Sequence, residues 1–150
     1  MVFTVLALFR RKPGTTPQQF KDYYENKHIP LLQELAGSSF PTFHKRHYLP
    51  RAVQDAAAAN SDTSNTNYPA MIFAGSAADF QFDVYAEVIF EDVEHFKAFQ
   101  AALGADPERP AAGEDAFLGR STRLADDEAA FLDRGKMQVV VVGEPCVTAR

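Results

Sequence analysis

The chain has 150 residues, 46% hydrophobic and 23% charged, with a formal net charge of -5 at pH 7. These values fit one globular domain with its own core, and the acidic balance excludes a general nucleic-acid binder, whose footprint is basic. The single cysteine, Cys146, excludes an internal disulfide and a cysteine-built zinc site, and no apolar run reaches the ~18–20 residues that span a bilayer.

Residues 2–10 are apolar on both parities, which predicts a strand covered on both faces. This opening lacks a basic leader and a small-residue cleavage site, so the expected location is cytoplasmic. Arg10, Arg11 and Lys12 precede the Pro13-Gly14 turn and read as a solvated strand end. Thr16, Pro17 and Gln19 supply an N-cap, a first-turn proline and the third-position glutamine of a capping box. The helix they start is expected to run to about Ala36 and stop at Gly37. Within it Phe20, Tyr24, His28, Leu31 and Leu32 recur at helical spacing and share a face. Pro30 is expected to bend this helix, because it lacks an N–H and crowds the carbonyl four residues back.

Residues 43–49 predict a second strand, with His44, Arg46 and Tyr48 on one face and Phe43, Lys45, His47 and Leu49 on the other. Residues 51–76 pass through an alanine block into a Ser/Thr/Asn-rich run. They read as a surface insertion within a single domain of residues 1–150. Residues 80–90 alternate Phe80, Phe82, Val84, Ala86, Val88 and Phe90 against Gln81, Asp83, Tyr85, Glu87 and Ile89, a strand with one apolar face. Asp92 then caps a helix striped by Val93, Phe96, Phe99 and Leu103 and ending at Gly104. Residues 107–118 leave room for a short helix, Asp126 is read as the cap of another, and residues 137–142 form an uninterrupted apolar strand.

The order β-α-β-β-α-β, with an extra helix before the last strand, is the ferredoxin-like split pattern of the α+β class. It implies a four-stranded antiparallel sheet with helices on one face. Since the first and last strands are apolar on both sides, the uncovered face calls for a partner. A second copy of the same sheet, giving a homodimer, is the simplest supply.

His28 is the leading acid/base residue, an imidazole on an apolar face that titrates near neutral pH and needs a hydrogen-bond partner there. The competing reading is a structural histidine bonded to a carbonyl that Pro30 leaves free. His44 and Tyr48, with Arg46 between them, reach a substrate phenol or carbonyl if their face is the pocket face, and are an ordinary polar strand face if it is solvated. Asp83, Tyr85 and Glu87 form a polar row that lines the pocket or meets the partner subunit, with Asp83 or Glu87 able to orient a histidine. Tyr24, inward with Phe20, positions a phenolic substrate or is a core aromatic with a satisfied hydroxyl. His44 and His47 point to opposite faces, so no metal site is expected, and no glycine-rich phosphate loop follows a strand. Cys146 reads as a bystander thiol.

The run Arg10-Arg11-Lys12-Pro13-Gly14-Thr15-Thr16-Pro17, followed by Phe20, Tyr24, Glu25, His28 and Pro30, resembles the opening motif of EthD-domain proteins, members of the dimeric α/β-barrel superfamily. Phe40-Pro41 with His44, Arg46 and Tyr48, and Asp126-Asp127-Glu128 with Phe131, Leu132 and Asp133, resemble motifs of its fungal branch. The resemblance covers nearly the whole chain outside residues 51–76. It implies a dimer with a small pocket between sheet and helices, and no metal or organic cofactor. It further implies a cofactor-independent lyase, a decarboxylase or dehydratase with or without cyclisation, acting on an aromatic polyketide-type substrate. In that reading His28 moves the proton and His44 or Asp83 assists. Phe20, Tyr24, Arg46, Tyr48, Phe82, Tyr85 and Glu87 shape or contact the ligand site. Two alternatives stay open: a cofactor-independent monooxygenase of anthrone-like substrates, and a non-catalytic dimer holding a small hydrophobe. Fold transfers along such a resemblance better than reaction does.

Overall fold

Four strands, β1 (Phe3–Phe9), β2 (Phe43–Tyr48), β3 (Val84–Phe90) and β4 (Gln138–Val142), pair antiparallel in the order β2-β3-β1-β4. The structure is a computed structural model that describes residues 1–52, 68–106 and 119–150. The sheet order and the helices between strands make this the α+β ferredoxin-like fold expected from the sequence.

Register decides what each face carries, because directly paired residues of an antiparallel ladder point the same way. Val5, Ala7 and Phe9 pair with Val88, Ala86 and Val84, and His44, Arg46 and Tyr48 join them on the same face. This inner face is buried under the helices: Val84, Ala86 and Phe90 are fully covered. The outer face carries Thr4, Leu6 and Leu8, paired with Ile89, Glu87 and Tyr85 on β3 and with Val142, Val140 and Gln138 on β4.

The first helical stretch starts as its sequence dictates. Thr16 accepts the Gln19 amide at 3.1 Å while the Gln19 side chain takes the Thr16 N–H, and Pro17 opens α1 (Pro17–Tyr23). The disturbance expected at Pro30 takes the form of a π-helical turn at Tyr24–His28, where the Ile29 N–H bonds the Tyr24 carbonyl before α2 (Ile29–Ala36) resumes. The wider turn makes room for the Pro30 ring and leaves both Tyr24 and His28 buried. Gly37 ends the stretch at φ 52, a conformation that glycine adopts without a Cβ clash.

The later elements correct two expectations. The alternation from residue 80 does not begin a strand, because Ser76 and Asp79 form a capping box around a 3-10 turn, Ala77–Phe80, and β3 begins only at Val84. Asp126 is no cap: Ser121 accepts the Leu124 amide and starts α4 (Thr122–Phe131), leaving Asp126 exposed in mid-helix. Asp92 does cap α3 (Val93–Gly104), accepting the His95 amide at 2.8 Å. The chain returns close behind α3, where a Cβ on Gly104 would lie 3.1 Å from the Gly119 carbonyl oxygen.

The helix anticipated in residues 107–118 and residues 53–67 of the insertion lie outside the described residues. The insertion's flanks are anchored: the Arg51 guanidinium donates to the carbonyls of Tyr68, Phe80 and Phe82. Among the described residues, no helix is long and apolar enough to cross a membrane.

Candidate functional site

A cavity of about 230 Å³ lies between the inner sheet face and the helices. Val5, Ala7, Phe9, Val88 and Phe90 form its floor. Phe96, Phe99 and Leu103 of α3 and Leu124 of α4 form the apolar walls, and exposed Gln100 and Val139 stand at the rim. Its polar groups come from four places: Tyr24 and His28 on the π turn, His44 on β2, Glu128 on α4, and Arg120 just before α4. An apolar slot with a few converging polar groups is the usual form of a small-molecule site.

His28 is 5% exposed and its Nδ1 lies 2.6 Å from Oδ2 of Asp127. A carboxylate on Nδ1 takes that nitrogen's proton in a neutral imidazole, which leaves Nε2 as the acceptor. The other Asp127 oxygen accepts the Tyr23 hydroxyl at 3.0 Å, so the carboxylate is held from two sides. Burial, and then the hydrogen bond to Asp127, push the Tyr23 hydroxyl up to about 12, so it stays a donor at neutral pH. The ring of His28 packs edge-on to Tyr24 at 5.0 Å and against Phe131 at 4.9 Å, which fixes its plane.

His44 sits beside this pair, with Nε2 3.4 Å from the Tyr24 hydroxyl. Burial first, then the Arg46 guanidinium and His28, push His44 down to about 3, so its imidazole is neutral at physiological pH. Its Nδ1 is buried and takes no hydrogen bond among the described residues. A buried N–H without an acceptor costs more than an unused lone pair, so the proton belongs on Nε2, pointing at Tyr24. Burial is also the largest cause raising the Tyr24 hydroxyl, which stays protonated.

The other residues singled out from the sequence go elsewhere. Asp83 is a buried carboxylate, yet it faces Arg11 and Arg51 at 2.5 and 3.0 Å, far from any histidine pairing. Its backbone N–H also bonds the Phe9 carbonyl, which pins it beyond the end of β1. Phe20, Tyr48 and Asp83 border a second, more polar depression with Lys21 and Arg51. Arg46 and Tyr48 share the inner face with His44, but Glu25 engages both, the guanidinium through two hydrogen bonds and the phenol at 2.7 Å. Phe82 stands before β3 against Phe80. Tyr85 and Glu87 are on the outer face, where Tyr85 stacks on His47 at 4.7 Å and Glu87 lies 3.8 Å from Lys45. Two residues of that row, Tyr85 and Glu87, thus lie on the outer face away from the cavity, and the third, Asp83, is buried before β3 against Arg11 and Arg51.

Of the residues expected at the site, the structure brings together His28, His44 and Tyr24. It adds Asp127, Glu128 and Arg120, which the sequence reading passed over. One signal for Glu128 was present: Leu124, Glu128 and Phe131 recur at spacings of four and three, so a carboxylate interrupts an apolar stripe.

The family described as "EthD domain" matches residues 12–135 of the chain. Solved structures similar to this chain include the following three. An ethyl tert-butyl ether D (EthD) family protein from Bacillus halodurans is 19% identical, with 97% of this chain and 100% of that one covered and a TM-score of 0.48. An EthD-like protein from Ralstonia eutropha is 15% identical, with 99% and 95% covered and a TM-score of 0.48. A dimeric ferredoxin-like protein of unknown function from Thermobifida fusca is 16% identical, with 96% and 92% covered and a TM-score of 0.45. No curated protein matches the chain.

Proposed function

The chain belongs to the EthD domain family, and from that premise we propose that it is a cofactor-independent lyase acting on an aromatic polyketide-type substrate. His28 performs the proton transfers. The observation that carries this reading is the 2.6 Å contact between Asp127 and Nδ1 of an imidazole on the wall of an apolar cavity. A carboxylate behind the ring fixes its tautomer, turns Nε2 toward the ligand, and stabilises the imidazolium that forms when Nε2 takes a proton.

Two reactions use that arrangement. In a dehydration, Nε2 removes the acidic hydrogen next to a carbonyl. The C–H electrons form the new double bond, and the departing hydroxide takes the proton back from the imidazolium as water. In a decarboxylation, the imidazolium protonates the ring carbon that bears the carboxylate, and carbon dioxide leaves with the C–C electrons restoring aromaticity. Tyr24 donates its hydroxyl proton to a ligand oxygen while accepting from His44. Cyclisation follows either step where the substrate presents a second carbonyl.

The test is turnover of a panel of anthrones and aromatic polyketide acids by the wild-type chain and by His28→Ala. The variant is expected to lose about 10²–10⁴-fold in kcat, the usual worth of a placed general acid/base. Full turnover by the variant overturns the assignment. Oxygen consumption matching turnover would instead favour the monooxygenase reading.

We also infer a homodimer through the outer sheet face, whose Leu6, Leu8, Ile89 and Val140 have no covering helix among the described residues and where Val140 is 53% exposed.

A further inference from the structure

Tyr23 and His28 both reach Asp127, although they lie five residues apart on one helical stretch. In an α-helix such residues leave the axis about 140° apart, too far around it to grip one carboxylate. The π turn at Tyr24–His28 changes this. Its Ile29 N–H bonds the Tyr24 carbonyl, and in a turn closed by such a bond residues five apart come to nearly one side. Single π turns inside α-helices recur at functional sites, and here the turn sets two side chains against one face of α4.

That face meets the pair ring on ring and polar tip on carboxylate. Asp127 and Phe131 are four apart on α4, so they stand one above the other. Tyr23 stacks on the Phe131 ring at 4.9 Å and 22°, and its hydroxyl donates to Asp127 Oδ1 at 3.0 Å. His28 packs on the same ring at 4.9 Å, and its Nδ1 lies 2.6 Å from Oδ2. Each carboxylate oxygen thus has its own donor, and the two together fix the carboxylate plane. The Asp127 side chain is 9% exposed, so solvent does not fully replace a lost donor. Without the Tyr23 hydroxyl the carboxylate is free to turn about its broad terminal torsion. Tyr23 does not line the cavity, so its hydroxyl reaches the reaction only through Asp127.

We infer that Tyr23 is a positioning residue. It holds Asp127 against Nδ1 of His28, which keeps the ring proton on that nitrogen and leaves Nε2 free toward the cavity, and the π turn is what brings it there. This deepens the proposed function and rests on its reading of His28 as the proton carrier. The state of the Nδ1–H···Oδ2 bond is measurable without turnover, so the two can fail separately. Tyr23→Phe removes one oxygen and keeps the stack on Phe131. The polar groups of the cavity wall, Tyr24, His44, Glu128 and Arg120, are untouched by that change.

The experiment pairs steady-state kinetics on the panel of anthrones and aromatic polyketide acids with proton NMR of the full chain. Tyr23→Phe is expected to lower kcat about tenfold, the worth of one hydrogen bond to a charged group, with KM unchanged. In an Asp127→Ala background, or Asp127→Ser if that chain does not fold, the same change is expected to cost nothing further, since no carboxylate remains to be held. The downfield Nδ1 proton of His28 is expected to exchange slowly in wild type and to broaden by exchange with solvent in Tyr23→Phe. Thermal unfolding establishes that each variant is folded. A Tyr23→Phe chain that does not fold has lost a structural group, and the inference falls. An unchanged kcat, an equal loss in both backgrounds, or an Nδ1 proton that behaves alike in wild type and Tyr23→Phe also overturns it and leaves the lyase reading standing. If the wild-type chain turns over no member of the panel, the lyase reading falls and the NMR comparison alone decides the role of Tyr23.

Discussion

At the scale of single residues, two carboxylates that look alike in sequence are set apart by their partners. Asp127 faces an imidazole and a phenol; Asp83 faces two guanidiniums. Asp127→Asn is expected to cut kcat at least tenfold, because the amide donates to Nδ1 and moves the ring proton to Nε2, where a base is needed. The same change should alter the pH–rate profile while leaving ligand binding nearly intact, which a loss of packing would not do. Asp83→Asn is expected to cost about 3–5 kcal/mol, since it leaves buried guanidiniums short of a counter-charge. A urea titration measures this, and the folded fraction should bind ligand as wild type does. His44 gives a pH signature. Its folded pKa lies below its ordinary value of 6.5, near 3, so the unfolded chain binds the extra proton between those values. Stability from this group is complete above about pH 6.5 and falls as pH drops through that window. Glu25, held low first by its hydrogen bond from Arg46, contributes its loss only below its ordinary 4.5, so at pH 5–6.5 the difference between wild type and a His44 variant reports this histidine. Urea midpoints should therefore fall from pH 6.5 to 5 in wild type and stay flatter in His44→Gln.

At the scale of elements, legibility tracks how local the determining contact is. The start of α1 is written in four consecutive residues, and the structure forms the capping box that Thr16 and Gln19 imply. Thr16→Ala is accordingly expected to cost about 1 kcal/mol, read as a lowered thermal midpoint with the fold unchanged. The face carrying Phe20, Tyr24 and His28 was equally legible, because 3.6-residue periodicity needs no knowledge of the partner. The π turn was not. Pro30 announces trouble in the helix, but whether it resolves as a kink or as one inserted residue depends on which side chains gain by being buried together. The start of β3 was obscured by a local competitor, since Ser76 and Asp79 satisfy each other and hold Ala77–Phe80 in a turn despite the alternating apolar pattern. Asp127 was hidden for the opposite reason. Its partner His28 is 99 residues away, and only the docking of α4 against the π turn brings them together.

At the scale of the molecule, the topology was legible from element order alone, and the register then settled which parity of each strand is inside. Both parities of β1 are largely apolar, and the described helices cover only one of them. The other parity, Leu6 and Leu8 with Ile89, Val140 and Val142 on flanking strands, makes an apolar surface crossed by the Lys45–Glu87 pair and the His47–Tyr85 stack. A two-fold axis through that surface would bring each apolar row onto its own copy, the self-complementary arrangement that closed dimers require. The wild-type chain is then expected to sediment at twice its 16.6 kDa. Leu6→Asp tests the face directly, because Leu6 lies in a central strand and points away from the helices, so its replacement leaves the inner core untouched. The charge buried without a partner would cost several kcal/mol per subunit, enough to shift the population to monomer at micromolar concentration. Far-UV circular dichroism should stay that of the folded chain while the sedimenting mass halves. A wild-type chain that sediments at 16.6 kDa at every concentration would sink the dimer and leave the apolar outer face to a different partner.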